Sequence, residues 1–162
     1  MKKPIIIERV TEATPEVRGL IGELDEVLGA AYEPHQRHGL SIAQLFEPNV
    51  RFFVVRLDGL AAACGGVALF DDYAEVKRMF TRPAARGRGL AKALLRRIDD
   101  EASACGKHVL RLETGPYQRE AIGLYQGAGF TRRGPFGHYA QMPAHRIELS
   151  LFFEKSISRS PG

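Results

Sequence analysis

The chain has 162 residues, 44% of them hydrophobic, which is enough for one compact domain around one core and leaves no material for a second. Its formal charge of +4 and pI near 9.3 favour an anionic ligand, without saying whether that is a nucleic acid, a membrane surface or a phosphorylated small molecule. The strongest apolar stretch, residues 59–70, is too short to span a bilayer, and Ile5-Ile6-Ile7 is cut by Glu8 and Arg9 before it could form the apolar part of a signal peptide.

These features predict a cytoplasmic protein. The two cysteines, Cys64 and Cys105, supply no disulfide framework, and Cys105-x-x-His108 lacks a second ligand pair, so no metal site is expected and both thiols read as reduced, buried fillers.

In chain order, residues 5–10 read as a strand, and Thr14-Pro15-Glu16 offers a cap, a first-turn proline and an early acid for a helix. Val17, Leu20, Ile21, Leu24, Val27 and Leu28 repeat at three and four residues, so they predict its core-facing stripe, which fades near Tyr32. Residues 33–40 read as a polar loop, after which Ser41 can cap a short second helix through Leu45 and Phe46. Residues 50–57 and 60–69 form a predicted hairpin around Asp58-Gly59. A strand over 73–81 is stopped by Pro83, and a helix over 89–104 carries Leu90, Ala91, Leu94, Leu95, Ile98 and Ala102 on one side. A strand over 108–113, a helix over 118–127 and a last strand over 147–153 complete the series. The fold class is therefore α/β or α+β, a mixed sheet of about six to seven strands flanked by about four helices.

Between the strand ending at Thr81 and the helix beginning near Gly89 lies Arg82-Pro83-Ala84-Ala85-Arg86-Gly87-Arg88-Gly89, three arginines and two glycines at a helix N-terminus. Glycines let the backbone approach an oxyanion closely, and the unpaired N–H groups of a first helical turn point at it. The same residues also suit a solvated turn or sequence-independent contacts to nucleic-acid phosphates. No Gly-Lys-Ser/Thr follows, so this is not an ATP-type loop, and Lys92 stands where a dinucleotide fingerprint has its third glycine.

The segment Arg86-x-x-Gly89-x-Ala91 resembles the Gln/Arg-x-x-Gly-x-Gly/Ala signature of the GNAT superfamily of N-acetyltransferases. Two further stretches agree with that family in order and spacing: Glu75-Val76-Lys77-Arg78-Met79-Phe80-Thr81 before it, and Leu112-Glu113-Thr114-Gly115 through Leu124-Tyr125-Gln126-Gly127-Ala128-Gly129-Phe130 after it. The resemblance is strongest over residues 50–135 and is nearest to small bacterial single-domain members with a Pro135-to-Tyr139-like element.

The resemblance implies the GNAT fold and acetyl-CoA as co-substrate. The backbone of Met79, Phe80 and Thr81 would hold the pantetheine arm or the reacting oxygen, and Arg86, Gly87, Arg88, Gly89, Leu90 and Ala91 the pyrophosphate. It implies that Tyr125 donates a proton to the departing thiolate and that Glu75, eleven positions before Arg86, serves as base toward the amine, directly or through water. Ordinary packing for Tyr125 and a surface ion pair for Glu75 are the alternatives. Gln118 stands where many relatives have an asparagine that contacts the pantetheine.

Tyr32, His35, His138 and Tyr139 are the candidates for the acceptor entrance, because the loops that carry them interrupt regular structure and concentrate aromatics and histidines. The expected acceptor is a primary amine of a small molecule or peptide. Neither a nucleic acid nor a membrane is expected as partner, and a homodimer is left open. A GNAT-fold protein that binds acyl-CoA without transferring the acyl group, as a sensor or regulatory subunit, is the competing reading.

Overall fold

A computed structural model describes residues 4–157. Seven strands form one sheet in the order β1-β2-β3-β4-β5-β7-β6. They are β1 (Ile5–Val10), β2 (Val50–Leu57), β3 (Leu60–Leu69), β4 (Ala74–Thr81), β5 (Val109–Thr114), β6 (Thr131–Arg133) and β7 (Leu151–Ser156). Four α-helices accompany them: α1 (Pro15–Ala31), α2 (Leu90–Ala104), α3 (Arg119–Gly127) and α4 (Ala144–Ile147).

Local chemistry explains the first half. Thr14 caps α1 by accepting the Val17 N–H at 3.2 Å, with Pro15 in the first turn where its missing donor costs nothing. Asp58 and Gly59 both take positive φ, 55° and 80°, as a two-residue hairpin turn requires, and Leu57 pairs with Leu60 across it. Phe52 and Val54 of β2 face the core under α1, whereas Phe53 and Val55 face the core under α2, so a continuous apolar run reflects burial on both faces.

Several elements depart from the sequence expectations. Ser41 does cap its neighbour, exchanging bonds with Gln44 at 3.2 and 2.9 Å, but the turn it starts is a 3₁₀ segment, Gln44–Phe46, because Pro48 follows too soon for a helix. The last strand begins at Leu151, not 147, since Pro143 starts the single turn α4. The three-residue β6 gave no periodic signal. Val27 is 41% exposed and Cys105, at the end of α2, is exposed as well, so neither belongs to the core.

The feature that positions everything else lies at β4. β4 and β5 run parallel yet pair only at Ala74 with Leu110 and at Glu75 with Arg111. Beyond Glu75 they diverge, and the edge of residues 76–81 that faces β5 has no ladder partner. On its other side β4 carries a bulge, where the register slips between Cys64 and Gly66 and Arg78 takes a φ of 56°. Gly65 makes room for it, since a Cβ there would lie 2.3 Å from the Met79 sulfur.

Candidate active site

Two cavities open on the split between β4 and β5, and they meet there. The larger, about 580 Å³, lies between the end of β4, the loop of residues 86–91 and α3. The smaller, about 140 Å³, lies between the C-terminal half of α1, residues 36–39 and the ends of β4 and β5. Leu24, Met79, Gln118, Ala121 and Tyr125 line both.

The large cavity ends at a turn whose geometry suits an anion. Pro83 stops β4 and begins a 3₁₀ turn, after which Gly87 and Gly89 take φ values of 79° and 77°, the left-handed region that other residues enter only at a cost. A Cβ at either glycine would meet no atom within 4 Å, so both stand on open space. The first return bond into α2 runs from the Ala93 N–H to the Gly89 carbonyl, which leaves the N–H groups of Leu90, Ala91 and Lys92 without an intrahelical acceptor. The helix dipole and the side chain of Arg86 add positive potential at the same place. Met79, Phe80, Thr81, Arg86, Gly87, Gly89, Leu90, Ala91 and Gln118 line this cavity; Arg88 is exposed and does not. At its inner end the Gln118 Oε1 is buried without a partner, an acceptor free for an amide N–H of an extended ligand.

Tyr125 stands where the cavities join. It is 6% exposed, its ring packs edge-on against Phe130 at 5.7 Å, and no group among the described residues bonds its hydroxyl. Burial first, then the nearby Glu113 carboxylate, push its pKa well above that of an ordinary tyrosine, so it remains protonated at neutral pH.

The proposed acceptor residues divide sharply. Tyr32 lines the small cavity: its ring stacks on Tyr117 at 5.2 Å, its hydroxyl accepts the Tyr117 N–H at 2.9 Å, and Gly115 leaves it room. His35 packs against His145, and His138 against Tyr139; neither lines either cavity. Tyr139 is fully buried, drawn inward by Phe136 and Phe152 and by Glu75, to which its hydroxyl donates at 2.7 Å. Glu75 itself is 1% exposed and also accepts from Lys77 Nζ at 3.2 Å. It does not line the small cavity, whereas its ion-pair partner Lys77 does, and its Oε1 is buried with no hydrogen-bond partner among the described residues.

The carboxylate that does line the small cavity is Glu113, at the end of β5. The Ser150 hydroxyl donates to it at 2.7 Å. Removal from water pushes its pKa up to about 7, against the pull of that hydrogen bond and of Lys77. His38 also lines the cavity; its Nε2 donates to the Arg146 carbonyl at 2.8 Å, and burial lowers its pKa. Glu113 was discoverable in principle. It is the acidic residue at the carboxyl end of a parallel strand, the place where open α/β sheets bind their ligands.

Comparison with known proteins places this geometry. The profile described as "Acetyltransferase (GNAT) family" matches residues 21–130. An IAA acetyltransferase from Azospirillum brasilense is 44% identical over 155 residues, spanning 94% of this chain and 98% of the relative. A Klebsiella pneumoniae crystal structure assigned as an acyl-CoA N-acyltransferase superposes with a TM-score of 0.80 at 31% identity, covering 94% of this chain and 97% of that one. A GNAT family acetyltransferase from Elizabethkingia anophelis, solved with acetyl-CoA bound, shares the fold at a TM-score of 0.69 and 16% identity, over 96% of this chain and 100% of that one.

Proposed function

Because the chain belongs to the GNAT acetyltransferase family, and is an N-acetyltransferase in that sense, we propose that it moves an acetyl group from acetyl-CoA to a primary amine by direct attack within a ternary complex. One observation carries the reading: a phosphate-sized cradle and a separate small cavity meet at an unpartnered tyrosine hydroxyl. Acetyl-CoA would lie along the free edge of β4 with its pyrophosphate on residues 86–91, which brings the thioester to the junction, and the amine would approach from the small cavity. The acyl-CoA sensor reading has no use for the second cavity.

In this reading the amine nitrogen bonds to the thioester carbon and the carbon–sulfur bond breaks. Charge developing on the thioester oxygen would be met by backbone N–H groups near Phe80 on the unpaired edge. An amine with a reference pKa of about 10.4 arrives mostly protonated and must first give up a proton. We assign that proton to Glu113, whose carboxyl lines the acceptor cavity and titrates at about 7. Glu75 then holds Lys77 and Tyr139 in place. Tyr125 supplies a proton to the leaving sulfur, and the second proton, shed by the nitrogen as it becomes an amide, replaces the one Tyr125 gave up.

Thiol release from acetyl-CoA, followed while amine and acetyl-CoA are varied together, tests the scheme. Intersecting initial-rate lines are expected, whereas parallel lines or a burst of thiol without amine would mean an acetylated enzyme and sink direct transfer.

A further inference from the structure

Four charged side chains line the small cavity: Arg37, Lys77, Arg78 and Glu113. Two of them are neutralised by the protein. Lys77 spends its donors on Glu75, the Tyr139 hydroxyl and the His38 carbonyl, at 3.1 to 3.2 Å, and Arg78 pairs with Asp25. The other two are not. Among the described residues Glu113 has only the neutral Ser150 hydroxyl as hydrogen-bond partner. No carboxylate among the described residues pairs with Arg37, whose Nε is buried without any hydrogen-bond partner. Among the described residues the cavity thus holds a cation with no carboxylate partner and a carboxyl that no cation bonds directly, beside apolar walls from Leu24, Leu28 and Leu149. Taking about 10–15 Å³ per water-sized occupant, its volume of about 140 Å³ admits on the order of ten non-hydrogen atoms.

We infer that the acceptor is a small amino-carboxylate, with its carboxylate on the Arg37 guanidinium and its amine on Glu113. This rests on the acetyl-transfer reading above and names the substrate class of that same site. A planar guanidinium offers a carboxylate two parallel donors, which fixes both position and orientation. A ligand with both charges meets both poles of the cavity, whereas a simple amine leaves the half-buried Arg37 cation without a carboxylate. A peptide amine with no nearby carboxylate is disfavoured for the same reason.

The test compares each common L-amino acid, and β-alanine, with its own carboxamide. Thiol release gives kcat/KM, and calorimetry in the presence of coenzyme A gives binding without chemistry. The best free acid is expected to exceed its carboxamide by about tenfold or more in both readouts, the usual size of a charge-assisted contact. Arg37→Gln should erase that preference by lowering the acid about tenfold more than the amide, and Arg37→Lys should restore part of it. Acids and amides used equally well, or both lowered alike by Arg37→Gln, would overturn the inference. If acids bind in preference to amides through Arg37 but no amine releases thiol, the recognition stands and the acetyl-transfer reading fails.

Discussion

At the scale of single residues, the proposed chemistry rests on groups whose surroundings have moved them away from their behaviour in water. Tyr125 keeps its proton because burial penalises the phenolate, and no group among the described residues claims its hydroxyl. Tyr125→Phe removes only that hydroxyl, so kcat should fall by roughly 10²-fold or more while the KM for acetyl-CoA stays near the wild-type value; steady-state kinetics with both substrates decides it. Glu113 is the converse case, a carboxyl raised from 4.5 to about 7. As a base it acts only when ionised, so kcat/KM should climb with pH through about 7, and Glu113→Gln should flatten that climb as well as lower the rate at neutral pH. Stability moves the other way. A carboxyl whose folded pKa exceeds its unfolded one contributes stability at low pH that is lost as pH rises from about 4.5 through about 7. Glutamine keeps the acceptor for Ser150 and cannot ionise, so Glu113→Gln should gain up to about 3 kcal/mol at pH 8 and little near pH 5. Thermal denaturation at the two pH values measures the difference, and equal shifts at both would remove the case for a strained carboxylate.

Among the elements, the cradle between β4 and α2 was legible from the residues alone, because it is built from consecutive positions: a strand, a proline stop, two glycines and an apolar stripe at helical spacing. Its physics is local, and local physics is what a linear pattern records. The small cavity is assembled from α1, the loop after it, β4, β5 and Leu149, which lie far apart in the chain, and its register depends on the bulge at Arg78. No periodicity announces that Tyr139 is pulled into an aromatic cluster or that Arg37 reaches a cavity. Histidines and aromatics in irregular loops were therefore a poor guide: Tyr32 reaches the cavity while His35, His138 and Tyr139 do not. The local element yields a correspondingly local prediction. Gly89→Val forces a β-branched residue into a φ of 77°, at a strain of about 1–2 kcal/mol, and points its side chain into the open cradle. The variant should still fold cooperatively but lose most of its affinity for coenzyme A, as calorimetry will show; unchanged affinity would place the pyrophosphate elsewhere.

For the molecule as a whole, the consequential fact is that the sheet is nearly divided. Antiparallel ladders join β1 to β4 and, on the other side, β5 to β7, but among the described residues the two sets are joined in the ladder only at the Ala74–Leu110 and Glu75–Arg111 pairs. A ligand in the large cavity touches β4 and α2 on one side and α3 on the other, so it replaces contacts that the diverging strands cannot make with each other. Binding should then couple to the stability of the entire domain and not to the loop alone. Mass action sets the size of the effect: at a hundred times its dissociation constant acetyl-CoA should add about 2.7 kcal/mol, which for a domain of this length corresponds to a rise in Tm of about 5–10 °C. Hydrogen exchange gives the spatial test. Added acetyl-CoA should slow exchange at residues 79–81 and 86–92 and also in α3, on the far side of the split, where no phosphate contact is expected. Protection confined to residues 86–92 would mean that the cofactor is held by its phosphates only and does not bridge the two halves of the sheet.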